Sequence, residues 1–104
     1  MSDPGPVFSA LADPTRRHVL ERLAERGSVT ATEVAGDLPI TRQAVAKHLS
    51  ALAEAGLVAS RREGRETRYR LEAEPLNGAM EWMASVGGRW DERLAALRSR
   101  LSAR

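Results

Sequence analysis

Two periods run along this chain. Helical spacing, with apolar residues recurring three and four apart, covers most of it, and one stretch alternates with period two. Residues Val7 to Ala12 follow Pro6 and predict a short first helix. Asp13-Pro14 marks the next start, with a side-chain acceptor at the N-cap and a proline where the missing N–H costs nothing. That helix should run to about Arg26, with Val19, Leu20 and Leu23 on one face and Gly27 closing it. Thr30-x-x-Glu33 is a capping box, with Val29 and Val34 placed as its hydrophobic staple. Pro39 stops the helix it opens near Leu38. Thr41 caps a longer helix, in which Val45, Leu49, Leu52 and Ala53 keep the helical period and Gly56 lies just past the end. Only Leu38-Pro39-Ile40 joins the two, which is the helix-turn-helix pattern.

After Gly56 the period changes. Leu57-Val58-Ala59-Ser60 leads into a basic stretch, Thr67, Tyr69 and Leu71 alternate with charged residues and Gly64 sits mid-loop, so residues 57–72 predict a two-stranded hairpin with a basic tip. A lone hairpin is marginal in water and must lean on the helices. Pro75 opens a last helix, with Leu76, Met80, Met83, Val86, Trp90, Leu94, Leu97 and Leu101 forming one stripe. The stripe covers about 27 residues, roughly 40 Å of helix, which is more than the other elements can bury. Gly87-Gly88 interrupts it and leaves a kink or a break open. The expected architecture is mainly α with a small β-hairpin wing, about five helices in all. Residues 1–6 (MSDPGP) are expected to form a flexible tail and residues 7–104 one domain. Within it the helix-turn-helix takes 30–56, the wing 57–72 and a dimerisation helix 75–103.

Charge sharpens this picture. Residues 41–70 hold six Arg and one Lys against three Glu, a net +4, while 1–40 carry −2 and 71–104 are balanced. A local basic stretch is the footprint expected where phosphates are met, although a solvated basic face has the same composition. The 104 residues leave room for one domain. No cysteine is present, which removes disulfides, thiol switching and thiolate metal sites. No apolar run approaches the roughly 18 residues of a membrane span, and the first residues lack a signal-peptide pattern, so a cytoplasmic location is expected.

As a set, Leu11-Ala12-Asp13-Pro14-Thr15-Arg16-Arg17, Val45-Ala46-Lys47-His48-Leu49-Ser50-Ala51-Leu52, Ala55-Gly56-Leu57-Val58, and Gly64-Arg65 with Tyr69-Arg70-Leu71 resemble the ArsR-like family of bacterial repressors. The match runs from residue 7 to about 72. The last segment, with Trp82, Trp90, Arg93, Leu94 and Leu97, looks like a subset of that family without metal sites. The resemblance implies a winged helix-turn-helix, a homodimer, double-stranded DNA as partner and regulation of its own operon. Many such relatives sense metals through Cys pairs before the recognition helix, or through Asp, His and Glu on the last helix. Residues 32–38 of this chain hold neither Cys nor His, and the last helix offers only Glu81, Asp91 and Glu92, so no metal site and no cofactor is expected.

With Val45, Leu49 and Leu52 inward, Arg42, Gln43, Ala46, Lys47 and Ser50 are left to face a major groove, and Thr41 adds a hydroxyl and free N–H groups for a phosphate. Arg forks onto guanine, Gln onto adenine, and Ala46 suits a thymine methyl. In the wing, Arg62, Arg65 and Arg68 are placed for phosphates or a narrow minor groove, or else serve solubility. His48 is placed either to bond within the protein or to touch a phosphate, and His18 reads as a surface residue. The dimer face should comprise Val7, Phe8 and Leu11 with Met80, Met83, Val86, Trp90, Leu94 and Leu97. Trp82, Met83 and Trp90 suit a dimer core or, alternatively, the lining of a pocket for a small apolar effector. The function expected is an autoregulating, sequence-specific repressor on a pseudo-palindromic operator. The competing reading is a winged-helix module that binds an acidic protein. No nucleophile–base set, paired carboxylates or phosphate loop points to an enzyme.

Overall fold

A computed structural model describes residues 3–102. Met1 and Ser2 of the expected tail, and Ala103 and Arg104 of the expected domain, lie outside the described residues. The elements are α1 (Gly5–Leu11), α2 (Pro14–Arg26), β1 (Ser28–Thr30), α3 (Ala31–Asp37), α4 (Arg42–Glu54), β2 (Val58–Glu63), β3 (Glu66–Leu71) and α5 (Glu74–Ser102).

Local chemistry accounts for the helix boundaries. The Asp3 carboxylate accepts from the Gly5 N–H at 3.0 Å. Helix α1 begins at Gly5 with Pro4 as its N-cap, where the sequence suggests tail as far as Pro6. Arg17 Nη1 donates to the Leu11 carbonyl at 2.6 Å and so satisfies an orphan acceptor at the end of α1. Asp13 caps α2, accepting from the Thr15 N–H at 2.8 Å and the Arg16 N–H at 3.3 Å. Thr30 caps α3 through Glu33 N–H, and Thr41 caps α4 through Ala44 N–H, both at 3.1 Å. Gly27 and Gly56 end α2 and α4 with positive φ, a region that glycine enters without a Cβ penalty.

The sheet has three strands where two were expected. Its order is β1-β3-β2 and both pairings are antiparallel. In β1, Ser28, Val29 and Thr30 oppose Arg70, Tyr69 and Arg68. In β2, Arg61 opposes Arg68 and Arg62 opposes Thr67. Pairing between such distant parts of the chain anchors the hairpin to the helical body.

Val19, Leu23, Val29, Val34, Val45, Leu49, Leu52 and Leu57 are fully enclosed between α2, α3, α4 and the sheet. An Arg26–Asp37 ion pair at 2.8 Å ties the end of α2 to the end of α3. Helix α5 runs without a break through Gly87 and Gly88. At 29 residues it is about 43 Å long. Only its start joins the body: Ala79 is buried, Leu76 packs against the core, and the rings of Phe8 and Trp82 meet edge-on at 5.6 Å. The rest stands clear. The radius of gyration is 18.9 Å, where a compact chain of this length would have about 13 Å. No described helix is long and apolar enough to cross a membrane.

Candidate nucleic-acid interface

Helix α4 sets its core row, Val45, Leu49 and Leu52, into the protein with no residual exposure. At about 100° per residue the opposite row is Gln43, Lys47, Ser50 and Glu54, flanked by Ala46. Gln43, Lys47 and Ser50 are exposed and Ala46 is half-buried. Thr41 and Arg42 stand exposed at the amino end, Arg42 to one side of the row. Glu54 closes the row at its far end, and sequence reasoning omitted it. A carboxylate there confines any phosphate-facing surface to the first three turns of α4. Arg42, Lys47 and Arg65 take part in none of the side-chain hydrogen bonds or ion pairs found among the described residues. Their donors remain available to a ligand.

The strand register divides the wing arginines that the sequence grouped together. Directly opposed residues share a face of a sheet, so Arg62 lies with Thr67 and Tyr69 on the face toward the helices. Arg68 lies on the other face with Arg61 and Arg70. Arg62 Nε donates to the Gly64 carbonyl at 3.2 Å and braces the turn, in which Gly64 has a positive φ. Arg65 stands exposed in that turn. Arg68 is committed elsewhere. Its Nε donates to Ser28 Oγ at 3.0 Å, its Nη2 to the Ser28 carbonyl at 3.1 Å, and carboxylates of Glu33 and Glu66 lie at 3.5 and 3.4 Å. It therefore leaves the set of available cations. Arg61, 80% exposed and only loosely paired with Glu63 at 3.9 Å, is the wing cation that residue spacing alone did not single out, whereas the exposed Arg70 is paired with Glu72 at 3.2 Å.

His48 is half-buried on α4 and carries no hydrogen bond among the described residues. It lies close enough to Asp13 for its charge to act on that carboxyl. The Arg16 N–H holds the Asp13 carboxyl below its usual value, against a desolvation that raises it. The Thr15 N–H and the His48 charge add smaller downward pulls. His18 is exposed beside Glu21 at 3.4 Å. Among the described residues no three His, Cys, Asp or Glu side chains converge as a metal site would require.

A second surface lies on α5. Met83, Trp90, Leu94, Leu97 and Leu101 stay 45–60% exposed along one side, with Met80 and Trp82 at its margins and Val86 half-buried within it. Arg93 stacks over Trp90 at 5.7 Å. Phe8, whose ring meets Trp82, borders the start of this face, and Leu11 packs partly buried against the core. Val7 does not belong to it. It is 4% exposed and packed in the protomer's own core. Trp82 and Trp90, with Val86, Arg89 and Arg93, line a shallow groove open to solvent.

Residues 11–61 match the family model described as a helix-turn-helix domain. The chain is 32% identical over 88 residues to the transcriptional repressor SdpR of Bacillus subtilis, spanning 85% of this chain and 97% of that protein. It is similar in structure to an ArsR-like transcriptional regulator from Rhodococcus sp. RHA1, with a TM-score of 0.82, 44% identity, and coverage of 92% of this chain and 90% of that one. It is also similar to a homodimeric winged helix-turn-helix DNA-binding domain from Mycobacterium bovis, with a TM-score of 0.64, 28% identity, and coverage of 86% and 82%.

Proposed function

The chain belongs to the ArsR-like family of winged helix-turn-helix transcriptional regulators, and from that premise we propose that it acts as a homodimeric repressor whose paired α4 helices read a pseudo-palindromic operator. The observation that carries this reading is the set of unengaged donors on the exposed side of α4. Arg42, Gln43 and Lys47 sit in its first two turns and are held by a core row with no residual exposure. Major-groove readout needs such an element, rigid on one side and rich in donors on the other. Gln43 and Arg42 are assigned to base edges, Ala46 to a thymine methyl, Lys47 and Ser50 to the groove wall, and Thr41 to a phosphate. Arg62 and Arg65 at the wing tip, with Arg61 on the opposite face of the wing, supply sequence-independent attraction.

Two copies would pair through the exposed face of α5, with Phe8 and Leu11 at its edge. The homodimeric relative from Mycobacterium bovis supports pairing of two copies; the choice of the α5 face rests on its exposed apolar residues. A two-fold pair places the α4 helices for half-sites one helical turn, roughly 34–36 Å, apart. Operator occupancy by the dimer would block transcription, and an operator in its own upstream region would make the protein self-regulating. The Trp82–Trp90 groove is assigned to the dimer core in preference to an effector pocket, because it is shallow and continuous with the α5 face.

Footprinting and gel shift on the DNA upstream of the gene test this reading. A protected two-fold site is expected, with affinity falling steeply as salt rises. Arg42→Ala and Gln43→Ala are each expected to cost about 1–3 kcal/mol of discrimination at one base position. Retention of sequence-specific binding in both variants would show that α4 does not read the DNA.

A further inference from the structure

Arg68 is the most heavily partnered side chain of the wing, and its partners lie on four different elements. Ser28 on β1 takes two of its donors, Glu33 on α3 lies at 3.5 Å, Glu66 on β3 at 3.4 Å and Glu63 on β2 at 3.9 Å. Its side chain is 28% exposed, against 80% for Arg61 directly across the ladder. Its position in the register matters as much as its contacts. Arg68 pairs with Thr30, the last residue of β1. Beyond it toward Gly64 the wing is a two-stranded ribbon only. Such a ribbon is marginal alone, so its direction is set where it leaves the three-stranded part.

We infer that Arg68 is a positioning residue that clamps the wing to the first helix of the helix-turn-helix, holding the wing-tip cations and the α4 donors in one rigid arrangement toward a duplex. The inference rests on the DNA-binding reading of the wing and α4. Glu33 is the far jaw of the clamp: its N–H is capped by Thr30, so the carboxylate projects from a fixed first turn of α3. Arg61 and Arg68 are like charges opposed across the strands, which alone would be unfavourable. Glu63, at 3.9 Å from each, offsets that repulsion. A phosphate contact by Arg68 would abandon the Ser28 carbonyl and turn unpaired carboxylates toward a polyanion.

The two roles make opposite predictions for Glu33→Gln. Removing a negative charge near DNA should strengthen binding if the region acts by charge alone. If Glu33 holds the clamp, the same change should weaken binding to a mixed-sequence duplex about 2- to 5-fold, the value of one partly exposed pair. Arg68→Ala should weaken binding further, and adding Glu33→Gln to it should cost nothing more. Arg65→Ala should lower the slope of log affinity against log salt by about 1, and Arg68→Ala should leave that slope unchanged. Arg68→Lys, which keeps the charge but not the fork, should not restore affinity. Hydrogen exchange on the free protein supplies a readout without DNA: Arg68→Ala should speed exchange at residues 61–67 and leave α2 and α4 protected. Tighter binding by Glu33→Gln together with full rescue by Arg68→Lys would overturn the clamp. Unchanged exchange at the wing in a folded Arg68→Ala protein would overturn it as well. Wild-type protein that shows no salt-dependent duplex binding would sink the DNA-binding reading instead, and exchange alone would then decide the clamp.

Discussion

Leu97→Ala tests the pairing of α5 with little risk to the protomer. Leu97 is 50% exposed and lies outside the core cluster, so the single chain hardly depends on it. Alanine is the better helix former, and a solvent-facing change of this kind stays within about 0.5 kcal/mol. In the dimer the remaining half of the side chain would be buried. Completing the burial of a leucine from that point gains about 1 kcal/mol, since full burial is worth roughly 1.5–3 kcal/mol. A two-fold interface contains every residue twice. The substitution should therefore cost about 2 kcal/mol per dimer, a roughly 30-fold rise in dissociation constant. Sedimentation equilibrium across the micromolar range would read the shift, with circular dichroism confirming unchanged helix content at concentrations where both proteins are dimeric. A dissociation constant that moves less than about threefold would refute the assignment of this face. Loss of helix before any change in mass would show that Leu97 supports the protomer instead.

Two further predictions concern the helix ends. Asp13 has its folded carboxyl held below the usual 3.8, so its contribution to stability is complete above that value and is lost as pH falls through the lower folded one. Asp13→Asn keeps an acceptor for the Thr15 and Arg16 N–H groups, and its thermal melts should therefore show a flatter decline on acidification than wild type; parallel acid limbs would rule out a role for that charge. Gly56→Ala should destabilise by about 1–2 kcal/mol, the cost of left-handed backbone for an L residue. The strain at that positive φ is conformational, since a Cβ there would meet only Pro75 Cγ, at 3.5 Å. Gly36→Ala, in helix α3 with open space around a Cβ, should stabilise by about 0.5–1 kcal/mol. Denaturant melts that move both variants in one direction would contradict this reading of the two backbones.

What could be read from the chain was whatever is decided within a few residues. Asp13, Thr30 and Thr41 each cap the helix they were expected to cap, because a side chain and the N–H it accepts from lie two or three positions apart. The core row of α4 was equally legible, since Val45, Leu49 and Leu52 repeat at the period of one helix face. The third strand was not. Ser28-Val29-Thr30 is too short to show a period, and its partners lie far along the chain at Arg68 to Arg70. The same nonlocal register hid the roles of the wing arginines. Spacing groups Arg62, Arg65 and Arg68, whereas pleating puts Arg62 and Arg68 on opposite faces and gives Arg68 to Ser28 and Glu33. Val7 was misplaced for a related reason: which of Val7 and Phe8 faces inward is settled by how α1 packs on the distant α2 and α5, and Val7 is the one buried in the core.

Gly87 and Gly88 sit at the middle of α5, inside an uninterrupted helix with open space around both. Each costs roughly 1 kcal/mol relative to alanine, and a short helical segment beyond them is marginal in water by itself. On the proposed pairing, residues 89–102 would owe their order to the second copy more than to their own chain. Folding of that half would then depend on how many molecules are present. Scarce protein would have a frayed, degradable end and no operator-reading pair, while abundant protein would acquire both at once. For a repressor of its own operon, such a helix would make the protein a gauge of its own copy number, with the set point written in two glycines.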